Sequence, residues 1–156
     1  MQGLFSNVLV AYDGSPDSQK ALKIAEGMVK QQEGKLYVIF IEEHNPHIHP
    51  EPYNNEWLND PATTPELLGE LDSEEHGRLA DQVMKQAKEE VSEDVDVYFE
   101  VIAGPASRRI VQESEDKDAD IIVIGNRGLG GLKRLVMGSV SNQITNDASC
   151  PVLVTK

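Results

Sequence analysis

Short apolar runs alternate with amphipathic stretches along this chain. Val8-Leu9-Val10-Ala11 is a continuous apolar run of strand length, which predicts a strand buried on both faces. Ser15-Pro16 follows it, a helix-start signal with Ser15 as N-cap and Pro16 at the first helical position, and Asp17 suits the positive end of the helix dipole. Ala21, Leu22, Ile24, Ala25, Met28 and Val29 predict the buried side of that helix, and Gly34 closes it. Lys35 to Ile41 reads as a second strand. Leu67, Leu68, Leu71, Leu79, Val83, Ala87 and Val91 recur at intervals that fit one face of a long second helix. Val95 to Ile102 alternates and predicts a third strand. Gly104-Pro105 then turns into a helix with Ala106, Ile110 and Val111 inward. The β-branched run Ile121-Ile122-Val123-Ile124 predicts a fourth strand, a helix bearing Val140, Ile144 and Ala148 follows, and Val152 to Thr155 is the last strand.

Strands that alternate with helices predict an α/β protein built on a five-stranded parallel sheet, joined by right-handed crossovers. A length of 156 residues predicts a single domain over 1–156. One irregular loop interrupts it at about 42–65, where five prolines and four asparagines follow no period. In open sheets of this kind ligands sit outside the carboxyl ends of the strands, where the strand order reverses. If the order is 3-2-1-4-5, strands one and four are neighbours there. Asp13 and Gly125 would then face one ligand.

The candidate chemistry lies after the fourth strand. A glycine-rich stretch, Gly125 to Gly138, joins that strand to the helix beginning near Ser139, which reads as the helix cap. Such a junction directs unpaired backbone N–H groups and the positive end of a helix at one point, which suits a phosphate chain. Charge agrees. The chain carries 14 Lys+Arg against 27 Asp+Glu, a formal net charge of -13, yet no acidic residue occurs between Ile121 and Asn146. Arg127, Lys133 and Arg134 do, and they either screen phosphate or are simply solvated. Asp13 reads as a ligand or magnesium group or as a turn residue capping the first helix.

Other chemistries are disfavoured. The stretch is not a Walker A loop, because Gly-Lys-Ser and Gly-Lys-Thr are absent. Nor is it a dinucleotide fingerprint, which would follow the first strand, and the G-x-S-x-G elbow of many hydrolases is missing. Strong net acidity argues against nucleic acid and against anionic membranes. The single cysteine, Cys150, excludes an internal disulfide and reads as a structural thiol. His44, His47 and His49 match no metal-ligand spacing and read as solvated, and Trp57 reads as an anchor for its loop. The amino-terminal residues lack signal-peptide features, and the longest apolar run, Tyr37 to Ile41, is too short to span a bilayer. A cytoplasmic location without membrane insertion is expected.

With these residues in view, the chain resembles the ATP-binding branch of the universal stress protein family. The family's nucleotide motif is glycine, two residues, glycine, nine residues, then glycine followed by serine or threonine. Here it is Gly125, Gly128 and Gly138-Ser139 at that spacing. The resemblance runs from Val8-Leu9-Val10-Ala11-Tyr12-Asp13 to Pro151-Val152-Leu153-Val154. It implies a Rossmann-like three-layer sandwich with strand order 3-2-1-4-5, akin to adenine nucleotide alpha hydrolases. It also implies an ATP site, with AMP or ADP as variants and magnesium as companion. On that analogy Gly125, Arg127, Gly128, Gly138, Ser139, Val140 and Ser141 surround the phosphates and ribose. Asp13 stands at the adenosine or magnesium end, and Ala11, Tyr12, Phe40 and Ile124 line the base, although Tyr12 and Phe40 are large for that task. The resemblance further implies a homodimer through Val152, Leu153 and Val154, with higher oligomers open. A nucleotide-dependent regulatory module acting on an unidentified protein is the expected function. The alternative is a slow ATP hydrolase or phosphotransferase that uses Asp13 and magnesium; no residue is assigned as catalytic.

Overall fold

The computed structural model describes residues 3–42, 65–126 and 138–156, and within 65–76 the helical backbone alone. The elements are β1 (Asn7–Ala11), α1 (Pro16–Lys30), β2 (Lys35–Glu42), α2 (Pro65–Glu90), β3 (Asp96–Ala103), α3 (Ala106–Asp116), β4 (Ile121–Gly125), α4 (Ser139–Asp147) and β5 (Val152–Thr155). All strand pairs are parallel and the sheet order is β3-β2-β1-β4-β5. This is the expected α/β order. Positions 43–64, including His44, His47, His49 and Trp57, lie outside the described residues, as do 127–137, including Arg127, Gly128, Lys133 and Arg134.

Alternation along each strand divides the core into two layers. Val8 and Val10 of β1, with Leu36, Val38 and Phe40 of β2, pack beneath α1 and α2. Leu9, Ile39, Ile122 and Ile124 pack beneath α3 and α4 against Ile110 and Ile144. The central strands are therefore apolar at consecutive positions, and β4 is buried from Ile121 through Ile124.

Helix α1 starts as its sequence signals require. The Ser15 hydroxyl accepts from the Ser18 N–H at 3.3 Å, and Pro16 occupies the first turn. Its inward stripe is Ser18, Ala21, Leu22, Ala25 and Val29. Ile24 departs from expectation and is 41% exposed, because it lies off the 3.6-residue stripe that Ala21, Ala25 and Val29 define. Leu79 of α2 is equally exposed, and Ala80, Val83, Met84 and Ala87 form the buried face instead.

The sheet end opposite the candidate site is tied by Asp120, whose Oδ2 accepts the N–H groups of both Ser6 and Asn7 at 2.8 Å. That pair of bonds sets the start of β1 beside β4. Strands β3 and β5 are the two edges. Among the described residues, no helix is long and apolar enough to cross a membrane.

Candidate functional site

In-register pairing puts Ala11 of β1 beside both Ile39 of β2 and Ile124 of β4. These three side chains share the α3/α4 face of the sheet. Just beyond them, where the carboxyl ends of β1 and β4 diverge toward opposite layers, a cavity of about 420 Å³ opens. Asp13 and Gly125 both line it, so the turn after β1 and the end of β4 meet at one site as expected. Of the other candidate residues, Ala11, Tyr12, Phe40, Ile124, Gly138, Ser139, Val140 and Ser141 also line it.

Tyr12 and Phe40 reach the cavity from the opposite layer. Both belong to the core cluster beneath α1 and α2 and are 1% and 7% exposed. The Tyr12 hydroxyl donates to Glu90 Oε1 of α2 at 3.1 Å. Burial, then the Glu90 carboxylate beside it, pushes the phenol well above the ordinary tyrosine range. Ile39 and Ile41 line the cavity beside Phe40. The pairing of Ala11 with Ile39, which puts Phe40 in the other layer, is set by the strand register.

Asp13 serves its own turn and faces the cavity. Its Oδ1 accepts the Ser15 N–H at 2.9 Å, and its own N–H donates to Ser18 Oγ at 3.3 Å. Gly14 follows with φ of +82°, a left-handed conformation that favours glycine. The other carboxylate on the wall is Glu42, whose carbonyl oxygen receives the Gly104 N–H at 3.0 Å. Sequence reasoning missed Glu42, Ala106, Ile110 and Asn126, because the chain separation between them hides their convergence.

The far wall is the start of α4, and here the expected cap is corrected. Gly138, not Ser139, is the N-cap, and a glycine has no side chain with which to cap the helix. The Gly138 N–H donates to the Asn126 carbonyl oxygen at 3.1 Å, which holds Gly138 in an extended conformation and makes Ser139 the first helical residue. The first bond of the helix runs from the Asn142 N–H to the Gly138 oxygen at 2.9 Å. First-turn N–H groups have no intrahelical acceptor, so those of Ser139, Val140 and Ser141 end at the cavity wall. The Ser139 side chain is exposed. Among the described lining residues none is cationic, and the positive potential at this wall comes from the helix terminus.

Gly125 has a packing role. A Cβ there would lie 2.9 Å from the Asp17 carbonyl carbon and 2.9 Å from the Ser18 nitrogen. The first turn of α1 thus rests directly on the end of β4. Cys150, away from this site, has its thiol pushed up by burial, in keeping with a structural role. Among the described residues no group of three or more His, Cys, Asp or Glu side chains could hold a metal ion.

Comparison with known proteins agrees with this architecture. The profile of the Universal stress protein family matches residues 4–156. A universal stress protein of Methanocaldococcus jannaschii is 32% identical over 155 residues, covering 99% of this chain and 84% of that one. The solved structure of universal stress protein UspA from Lactobacillus plantarum superposes with a TM-score of 0.75 at 20% identity, covering 97% and 98% of the two chains. A universal stress protein from Archaeoglobus fulgidus, solved in complex with dAMP, gives a TM-score of 0.60 at 17% identity and covers 99% and 100%. The profile match over nearly the whole length, on a sheet of order 3-2-1-4-5, places this chain in the universal stress protein family.

Proposed function

We propose that this protein binds an adenine nucleotide, ATP with magnesium in the cell, and that the bound nucleotide regulates its affinity for a protein partner. The observation that carries this reading is the start of α4, with glycine as its N-cap, standing across one cavity from Asp13. The inner wall of Ala11, Ile39, Ile110, Ile124 and Val140 offers flat apolar surface for a base. The α4 terminus offers N–H groups for phosphate oxygens, and a Cβ on Gly138 would come within 2.7 Å of the Asn126 oxygen, so the neck is as narrow as a backbone permits. The dAMP complex of the Archaeoglobus fulgidus relative supports the choice of adenine.

Magnesium fits as a companion of the phosphates. Magnesium takes few protein ligands and keeps waters and phosphate oxygens. With Oδ1 engaged by the Ser15 N–H, Asp13 retains Oδ2 for that ion or one of its waters. The ion would neutralise phosphate charge beside Asp13 and Glu42. Gly128 completes the family motif, and it and Arg127, in the motif's spacer, belong to this proposal on the sequence alone.

Calorimetric titration of the protein with magnesium and ATP is expected to show one site per chain at micromolar to millimolar ATP. Absence of heat up to several millimolar defeats the reading. We place the regulatory role ahead of catalysis because the described lining offers the carboxylates of Asp13 and Glu42 and no histidine or lysine. A self-pairing edge completes the proposal. Val152, Leu153 and Val154 of β5 are half-buried at an open sheet edge, which a second copy can cover. Sedimentation equilibrium at micromolar concentration should return the mass of two chains, and a single-chain mass throughout rejects pairing.

A further inference from the structure

Thr155 ends β5, is 5% exposed, and joins that strand to α1 and β4. Its Oγ1 donates to the Asp17 carbonyl oxygen in the first turn of α1 at 2.9 Å, with the Ile124 carbonyl oxygen of β4 at 3.5 Å. Its own carbonyl oxygen receives the Asn126 N–H at 2.9 Å. The other side of Asn126 receives the Gly138 N–H at 3.1 Å, and Gly138 is the N-cap of α4. An unbroken run of hydrogen bonds therefore leads from α1 through Thr155 and Asn126 to the residue that starts α4. Asn126 is itself 6% exposed and lines the cavity, whereas Thr155 does not.

We infer that Thr155 is a positioning residue for the phosphate end of the cavity, holding Asn126 so that Gly138 and the first turn of α4 stand where an anion can be bound. The inference rests on the nucleotide reading above and deepens it. Chemistry makes the hydroxyl decisive. Valine has nearly the same shape but cannot donate, so Thr155→Val leaves the Asp17 oxygen without this bond and loosens the end of β5 against α1. Most of the apolar wall that faces the base comes from β1, β2, α3 and the inner face of β4, with Val140 from α4, whereas the Thr155 hydroxyl bonds to the Asp17 carbonyl oxygen. Its influence should consequently grow with the phosphate content of the ligand.

The experiment compares ATP with adenosine, both titrated with magnesium present, against wild type, Thr155→Val and Thr155→Ser. Thr155→Val should weaken ATP about five- to tenfold and leave adenosine within about twofold, while Thr155→Ser, which keeps the hydroxyl, should restore ATP affinity. Equal losses for ATP and adenosine, or no loss for ATP, would overturn the role. If Thr155→Val does not fold, amide exchange in the wild type decides the matter. Saturating ATP should slow exchange at both Gly138 and Asn126, and adenosine should slow neither. Slowing at Gly138 alone would show that the link through Asn126 is not used. A wild-type chain that binds adenosine but not ATP removes the role, and one that binds neither removes the nucleotide reading together with it.

Discussion

Gly125→Val should lower stability by about 3 kcal/mol or more and abolish nucleotide binding with it. The new Cβ would meet the Asp17 carbonyl carbon and the Ser18 nitrogen, each at 2.9 Å, and Asp17 Cβ at 3.0 Å. Two of these three atoms are backbone in the first turn of a helix, so they cannot yield as a flexible side chain would. Either α1 lifts from the end of β4 or β4 parts from β1. Both movements break the cavity floor between Asp13 and Asn126. Gly27 is the control. It lies within α1, a Cβ there meets nothing within 4 Å, and Gly27→Ala should raise stability by about 0.5–1 kcal/mol. Chemical denaturation of the three proteins reads both effects. A Gly125→Val chain as stable as wild type would show that α1 does not rest on β4.

Tyr12→Phe should cost about 1–3 kcal/mol at neutral pH, the range for stranding a buried polar group. The Tyr12 hydroxyl and the Gln86 Nε2 amide both donate to Glu90 Oε1, at 3.1 and 3.3 Å, and Glu90 Oε2 is already buried without a partner. Removing the phenol leaves the carboxylate with one of its two donors. Alkaline titration gives the same substitution a distinct signature. In the folded chain burial and the Glu90 charge raise the phenol pKa, whereas in the unfolded chain it ionises at about 10. The contribution is fully present below pH 10. Above it the unfolded state loses a proton that the native state keeps, so stability falls as pH rises. The Phe variant should lack this part of the alkaline decline. Denaturation midpoints measured from pH 8 to pH 11 check it, and parallel curves for the two proteins would refute the burial argument.

This pair also shows how far the sequence can be read. Tyr12 follows the first strand directly, and its place at the cavity was legible from that fact. That its hydroxyl would turn away and meet a carboxylate 78 positions later was not. Nothing local distinguishes Glu90 from Asp81 and Glu89 of the same helix, which are exposed. The same holds for Phe40. Its place near the carboxyl end of β2 was legible, but the layer it packs in follows from the register that pairs Ala11 with Ile39.

Local physics carried the rest a long way. Ser15-Pro16-Asp17 determined the start of α1, and the parity of apolar positions in β1 and β4 determined a doubly covered parallel sheet. The spacing of Gly125, Gly128 and Gly138 carried the family resemblance that implied the phosphate site.

What the sequence determined by itself, then, was the alternation of strands and helices, the sheet order implied by the family motif, and the meeting of Asp13 with the end of β4. The alternation depends on short-range periodicity and turn chemistry, which neighbouring residues settle among themselves, whereas the order and the meeting at β4 came through the family resemblance. Only the tertiary structure decided that α4 starts from Gly138, that Gly125 is bare because a helix leans on it, and that Thr155 ties the neck of the site. Each of those depends on two backbone segments far apart in the chain coming within 3 Å or so, a distance that sequence patterns do not encode and that packing alone sets.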